Sequence, residues 1–255
     1  MAHLRCDFFS DTLGLSTSMT VLLPQPTSSQ IGMTGAADDG APPPVLYLLH
    51  GLSDDDTIWT RRTSIERYVA GLGLAVVMPQ VHRSFYLDGL HTGAYWTFVS
   101  DELPALVQRF FRVSGEREDT FVAGLSMGGY GAMLSALRTP ERFAAAASLS
   151  GALDVVRRQA DDPHGVVQHI TDTSLAGTDA DLFALLGQAD PAATPPLFLR
   201  CGTEDALVED NRASVTRAQE RGLQVDAGFG PGGHDWGYWD RTIQEVLDWL
   251  PLRNR

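Results

Sequence analysis

At 255 residues the chain has the length of one large α/β unit, and 44% hydrophobic against 20% charged residues give it a sizeable core, which excludes an intrinsically disordered chain. Its 32 acidic and 19 basic residues leave a formal charge of −13, a field that repels phosphate backbones and anionic lipid. Nucleic acid and membrane surfaces are therefore excluded as expected partners.

The opening stretch, MAHLRCDFFSD, breaks its apolar residues with Arg5 and Asp7, unlike a secretory signal, and no apolar run is long enough to span a bilayer. A cytoplasmic protein is expected. Cys6 and Cys201 lie far apart, each in an apolar strand-like segment, and are expected as buried free thiols rather than a disulfide.

In chain order, apolar runs rich in β-branched and aromatic residues predict strands at Met19 to Leu23, Val45 to His50, Leu74 to Met78, Thr120 to Ala123, Ala144 to Leu149 and Leu197 to Cys201, with a further strand-like LQVDAGF. Helical patterns separate them at Ser64 to Gly71, Phe98 to Phe111, Met127 to Arg138, Asp210 to Gly222 and Tyr238 to Leu250. Unbroken apolar strands alternating with helices imply a mostly parallel central sheet covered on both faces, an α/β fold in a single domain over 1–255. Two segments interrupt the rhythm. A stretch rich in Pro, Gly, Ser and Asp over 25–44 reads as a surface excursion, and 154–196, with its helix-like DADLFALLGQ, reads as a lid-like insertion.

Chemistry concentrates where strands end. Gly124-Leu125-Ser126-Met127-Gly128 fits G-x-S-x-G, follows a predicted strand and precedes a predicted helix, the context in which the motif marks a strained turn that exposes a serine hydroxyl. The Met127 N–H, at the start of that helix, is placed to donate to an oxyanion. A nucleophilic serine needs a base and the base an orienting acid, in the chain order Ser, Asp or Glu, His. His234 stands in the glycine-rich loop GPGGHDWGYWD, and Asp205 in the loop GTEDALVEDN after the strand PPLFLRC. Glu204, Asp210 and Asp235 are rival acids, Glu204 the nearest, although Asp205 sits where this loop type carries its acid. After the strand at Val45, Gly51 lets the backbone fold close to Ser126, which makes the Leu52 N–H the second oxyanion donor; His50 reads as structural.

The segments LYLLHGLSDDDTIW, FVAGLSMGGYGAM, ASLSGALD and GGHDWGYW resemble the esterase D group of α/β-hydrolases, in particular bacterial tributyrin esterases acting on short-chain acyl and acetyl esters. The resemblance runs from about Val45 to the carboxyl terminus. It implies an α/β-hydrolase fold with Ser126 as nucleophile, His234 as general base, Asp205 as orienting acid, Leu52 and Met127 as oxyanion donors, and no metal or organic cofactor. SFYLDG, Ser84 to Gly89, is similar to a segment of S-formylglutathione hydrolases, which belong to the same wider group. Those enzymes carry a histidine before the nucleophile and a cysteine after the His-Gly-Leu loop, where this chain has Leu125 and the run Ser53-Asp54-Asp55-Asp56. That departure favours oxygen esters over thioesters. The three aspartates read as a solvated loop rather than metal ligands.

The expected activity is hydrolysis of acetyl to butyryl esters through an acyl-enzyme, with a small-molecule ester as partner; a homo-oligomer is compatible with the sequence. An S-formylglutathione hydrolase or a mycolyltransferase-like acyltransferase is the alternative within enzymes, and a catalytically silent binding protein the alternative outside them. Bulky Trp96 and Trp236, in loops expected to flank Ser126, are assigned to substrate binding as limits on acyl depth.

Overall fold

Period-two alternation along strands buried on both faces organises the protein: in Val45–Leu49, Val45, Tyr47 and Leu49 enter one core while Leu46 and Leu48 enter the other. The computed structural model describes residues 1–27, 31, 40–161 and 165–253. Residues 28–30 and 32–39 of the expected excursion, and 162–164 of the expected insertion, lie outside the described residues.

In chain order the strands are β1 (Ala2–Ser10), β2 (Leu15–Leu23), β3 (Val45–Leu49), β4 (Ala75–Pro79), a short pair β5 (Asp88–Gly89) and β6 (Gly93–Ala94), then β7 (Thr120–Leu125), β8 (Ala145–Leu149), β9 (Leu197–Gly202) and β10 (Val225–Gly230). All but the short pair form one eight-stranded sheet in the order β1-β2-β4-β3-β7-β8-β9-β10. The contacts β1 with β2 and β2 with β4 are antiparallel, and the rest are parallel. This is the α/β-hydrolase fold.

The helices are α1 (Ile58–Arg62), α2 (Ile65–Val69), α3 (Tyr95–Thr97), α4 (Leu103–Phe110), α5 (Met127–Arg138), α6 (Val155–Ala160), α7 (Leu182–Gln188), α8 (Val208–Glu220) and α9 (Trp236–Trp249). Residues of α4, α5, α7 and α8 fill one core, those of α1, α2 and α9 the other, so helices cover both faces. None of the described helices is long and apolar enough to cross a membrane.

The strand reading needs correction at its start. The first strand, β1, has Leu4, Cys6 and Phe8 partly buried while Arg5, Asp7 and Phe9 are exposed, the period of an edge strand with one wet face. Cys6 is accordingly only partly buried, whereas Cys201 is fully buried; both are free thiols. The helix expected over 98–111 is divided into a π turn over Phe98–Glu102 and α4, and α3 precedes both. In the segment 154–196, Asp154 caps α6 by accepting from Arg157 N, Asp181 caps α7 by accepting from Phe183 N and Ala184 N, and the Tyr130 hydroxyl ties the segment down by donating to the Ala180 carbonyl at 2.7 Å.

Candidate active site

The turn from β7 into α5 holds Ser126 at φ 53° and ψ −116°, a left-handed backbone that a residue with a Cβ adopts only where its surroundings impose it. Those surroundings are close backbone packing: a Cβ on Gly124 would run into the Gly128 backbone, and one on Gly128 would lie 2.5 Å from the Leu49 carbonyl oxygen. Ser126 N–H donates to Leu149 O at 2.9 Å, and Ala152 N–H donates to Ser126 O at 3.0 Å, which pins the turn between β7 and β8. From Phe121 to Ala136 every residue is buried except Ser126. The fold therefore presents one hydroxyl and hides its neighbours.

Across the sheet end, the loop between β10 and α9 brings the His234 Nε2 to 3.0 Å from Ser126 Oγ, and the His234 Nδ1 to 2.7 Å from Asp205 Oδ2. With Nδ1–H donating to the carboxylate, Nε2 keeps its lone pair free to accept the serine proton. The edge of the His234 ring meets Trp239 with centroids 4.9 Å apart, which limits rotation of the imidazole.

Asp205 is 3% exposed and its second oxygen accepts from Leu207 N–H at 2.9 Å. Burial works to raise its pKa, but the His234 hydrogen bond, the Leu207 N–H and the nearby imidazole outweigh it, and the carboxyl is held below its ordinary value. It stays an anion beside the ring it orients. The other acids of these loops face other groups. Glu204 accepts from Gly232 N–H and Thr203 Oγ1, Asp210 pairs with Arg157 at 2.6 Å, and Asp235 caps α9 by accepting from Tyr238 N–H at 3.0 Å.

Two neighbours of Asp205 had no signal that marked them. Ser150 is fully buried at φ 48° and its side chain adjoins Asp205 and Cys201. Burial, followed by the Asp205 charge, pushes the Cys201 thiol up to about 12, so it remains a protonated, inert thiol below the sheet end.

The loop after β3 comes equally close. A Cβ on Gly51 would lie 2.7 Å from Leu125 Cδ1, 2.9 Å from Asp54 Oδ2 and 3.8 Å from Ser126 Cβ, so the chain passes close beside the serine. His50 clasps this loop from within: its Nε2 accepts from Val81 N–H at 3.1 Å, its Nδ1–H donates to Gly51 O at 2.7 Å, and its carbonyl accepts from the Tyr86 hydroxyl at 2.9 Å. Burial lowers the His50 pKa against the opposing pull of the Gly51 carbonyl and Asp54, which keeps it neutral for both bonds. Neither Leu52 N–H nor Met127 N–H donates to another described residue, so both remain available at the serine.

The acidic run after Leu52 is engaged within the fold. Asp56 is buried and accepts from Ser18 and Thr20 hydroxyls at 2.9 and 2.8 Å, and Asp55 takes Thr57 and Arg61. Among the described residues no group of three or more His, Cys, Asp or Glu is placed to hold a metal ion.

The two tryptophans are placed differently. Trp96 is buried beneath the Arg138 guanidinium, 3.9 Å from its ring centroid, and lines a cavity of about 260 Å³ with Tyr47, Val99 and Phe143 whose walls include neither Ser126 nor His234. Trp236, two residues after His234, is half-buried and packs edge-on against Trp59 and Trp239, with centroids 5.3 and 5.2 Å apart.

Three comparisons bear on this arrangement. The Esterase family model matches residues 10–250. An acetyl esterase of Caldicellulosiruptor saccharolyticus is 29% identical over 263 residues, covering 98% of each chain. Among solved structures, the fluorophosphonate-binding serine hydrolase F of Staphylococcus aureus, substrate bound, superposes with a TM-score of 0.86 at 32% identity, and an S-formylglutathione hydrolase of the same organism with 0.83 at 32%, each covering 98% of both chains.

Proposed function

The chain belongs to the Esterase family and is a carboxylic ester hydrolase of the serine type, and from that premise we propose that Ser126, His234 and Asp205 form its catalytic triad and that its substrates are short-chain oxygen esters. The observation that carries the triad is the unbroken chain of contacts from an exposed serine Oγ through His234 to a buried, ionised Asp205, at 3.0 and 2.7 Å.

In this reading Ser126 Oγ attacks the ester carbonyl while its proton passes to His234 Nε2. The imidazolium is stabilised by Asp205. The carbonyl oxygen gains negative charge beside the N–H groups of Leu52 and Met127, the second of which opens α5 and lies at the positive end of its dipole. Collapse of the tetrahedral intermediate expels the alcohol, which takes the proton back from His234 Nε2, and leaves an acyl-enzyme on Ser126. Water then enters, gives its proton to His234 and attacks the acyl carbon; release of the acid restores the serine.

Short acyl chains are supported by the acetyl esterase likeness. A long-chain enzyme would gain about 0.8 kcal/mol for each methylene it buries, so its selectivity would climb with chain length. On a panel of p-nitrophenyl esters below micelle-forming concentrations, kcat/KM is expected to peak between acetyl and butyryl and to fall by about tenfold at octanoyl. An optimum at octanoyl or longer would overturn this assignment. S-formylglutathione belongs in the same panel, because one similar structure is an S-formylglutathione hydrolase; Leu125 before the serine and Ser53 after Leu52 underlie the expectation that the oxygen esters turn over faster. Residence in the cytoplasm is part of the proposal and is supported by the two free thiols, which a reducing compartment preserves.

A further inference from the structure

Beyond β4 the chain does not return directly to the core but walls a cavity of about 470 Å³, lined by His82, Arg83, Thr92 and Tyr95 on one side and Val166 and His169 of the 154–196 segment on the other. That volume is enough for several substrate atoms. Its place in the sheet sets its distance from the serine. Only β3 separates β4 from β7, and neighbouring strands lie about 4.8 Å apart, so the carboxyl ends of β4 and β7 are about 10 Å apart. The two sites are also fastened together, since Val81 N–H and the Tyr86 hydroxyl, on either side of His82 and Arg83, both bond to His50 in the oxyanion loop.

The cavity is unusual in its charge. In a chain with 32 acidic and 19 basic residues, neither the Arg83 guanidinium nor the imidazoles of His82 and His169 make an ion pair or hydrogen bond with another described residue. The acids carried on described residues 82–95 and 165–172 are engaged elsewhere: Asp88 accepts from Thr97 N–H and Oγ1 at 2.9 and 2.7 Å, and Asp172 pairs with His91 at 3.5 Å. The wall is held in left-handed backbone at three residues with side chains, His82 at φ 51°, Phe85 at φ 51° and Tyr86 at φ 57°, a conformation that concentrates where function fixes the chain.

We propose that this cavity is a subsite for a carboxylate or phosphate on the alcohol portion of the substrate, with Arg83 as its charged partner and His82 and His169 as further donors. The inference rests on the short-acyl esterase reading, because an acetyl to butyryl group cannot span about 10 Å and the anion must therefore belong to the alcohol. A planar guanidinium suits either oxyanion, and their shared chemistry is what the site selects.

The test compares hexyl acetate with 6-acetoxyhexanoate and 6-acetoxyhexyl phosphate by proton release at low ionic strength, in the wild type and in Arg83→Gln, Arg83→Lys and His169→Gln. One charge-assisted hydrogen bond corresponds to roughly a tenfold preference in kcat/KM for at least one anionic ester over hexyl acetate, and that ratio should fall about tenfold in Arg83→Gln, chiefly through KM, with partial recovery in Arg83→Lys. Hydrolysis of hexyl acetate with no preference for either anion, or a preference that Arg83→Gln leaves in place, would overturn the subsite alone. Failure of the wild type on hexyl acetate and p-nitrophenyl acetate alike would overturn the esterase reading, and the subsite with it.

Discussion

Ser126→Ala is expected to lower kcat for p-nitrophenyl acetate by about 10⁴-fold or more, because without the nucleophile only substrate binding and the oxyanion donors remain. A fluorophosphonate probe should phosphonylate the wild type at Ser126, mapped by peptide mass spectrometry, and should leave the alanine variant unlabelled. Turnover above a few per cent of wild type in the purified variant would remove Ser126 from the role. The fold should persist, since alanine keeps the Cβ that already sits at φ 53° and loses only a hydroxyl whose one described bond is to His234. Ser126→Gly separates strain from chemistry. Left-handed strain at a residue with a Cβ costs about 1–3 kcal/mol, and glycine in a fixed backbone gives back roughly 0.5–1 kcal/mol in entropy. The glycine variant should thus be equally inactive but melt a few degrees above the alanine variant. A lower midpoint for glycine would mean that the turn stores no such strain.

Much of this site was legible because it depends on local rules. A strand, a glycine-flanked serine and a helix specify the elbow, and the order of Ser126, Asp205 and His234 after β7, β9 and β10 follows from where parallel strands leave the sheet. Features that depend on which way a side chain turns after the backbone folds were not legible. Trp96 reads as a bulky loop residue near the serine, yet it turns inward, under Arg138 and into the core. Strand β1 is visible only as a strand-like segment around Cys6, because Leu4, Cys6 and Phe8 supply a half-buried edge whose alternation is weaker than a continuous apolar run. Ser150 carries no motif, and only the approach of β8 to β9 places it beside Asp205. The Arg83 cavity draws its walls from residues 82–95 and 166–169, a separation that no local pattern bridges.

Asp205→Asn is expected to lower kcat by about 10⁴-fold while Glu204→Gln changes it by no more than a few-fold. The two acids are adjacent in sequence, but the end of β9 turns them in opposite directions: Asp205 is 3% exposed against His234, whereas Glu204 reaches outward to Gly232 N–H and Thr203. An asparagine at 205 can turn its amide N–H toward His234 Nδ1, which forces the proton onto Nε2, the nitrogen that must accept from Ser126 at 3.0 Å. The ring is then in place with the wrong tautomer. A glutamine at 204 keeps an oxygen for Gly232 N–H, so the loop that carries His234 stays where it is. The two effects also separate in stability. The Asp205 carboxyl has its folded pKa below the ordinary value, so its stabilising contribution is complete above the unfolded value of about 3.9 and is lost as pH falls through the depressed folded value. The difference in thermal midpoint between wild type and Asp205→Asn should therefore be constant around neutrality and narrow only below about pH 4. Kinetics on p-nitrophenyl acetate decide the assignment: if Glu204→Gln proves the more damaging change, the orienting acid is Glu204, and the contact between His234 Nδ1 and Asp205 at 2.7 Å is structural rather than catalytic.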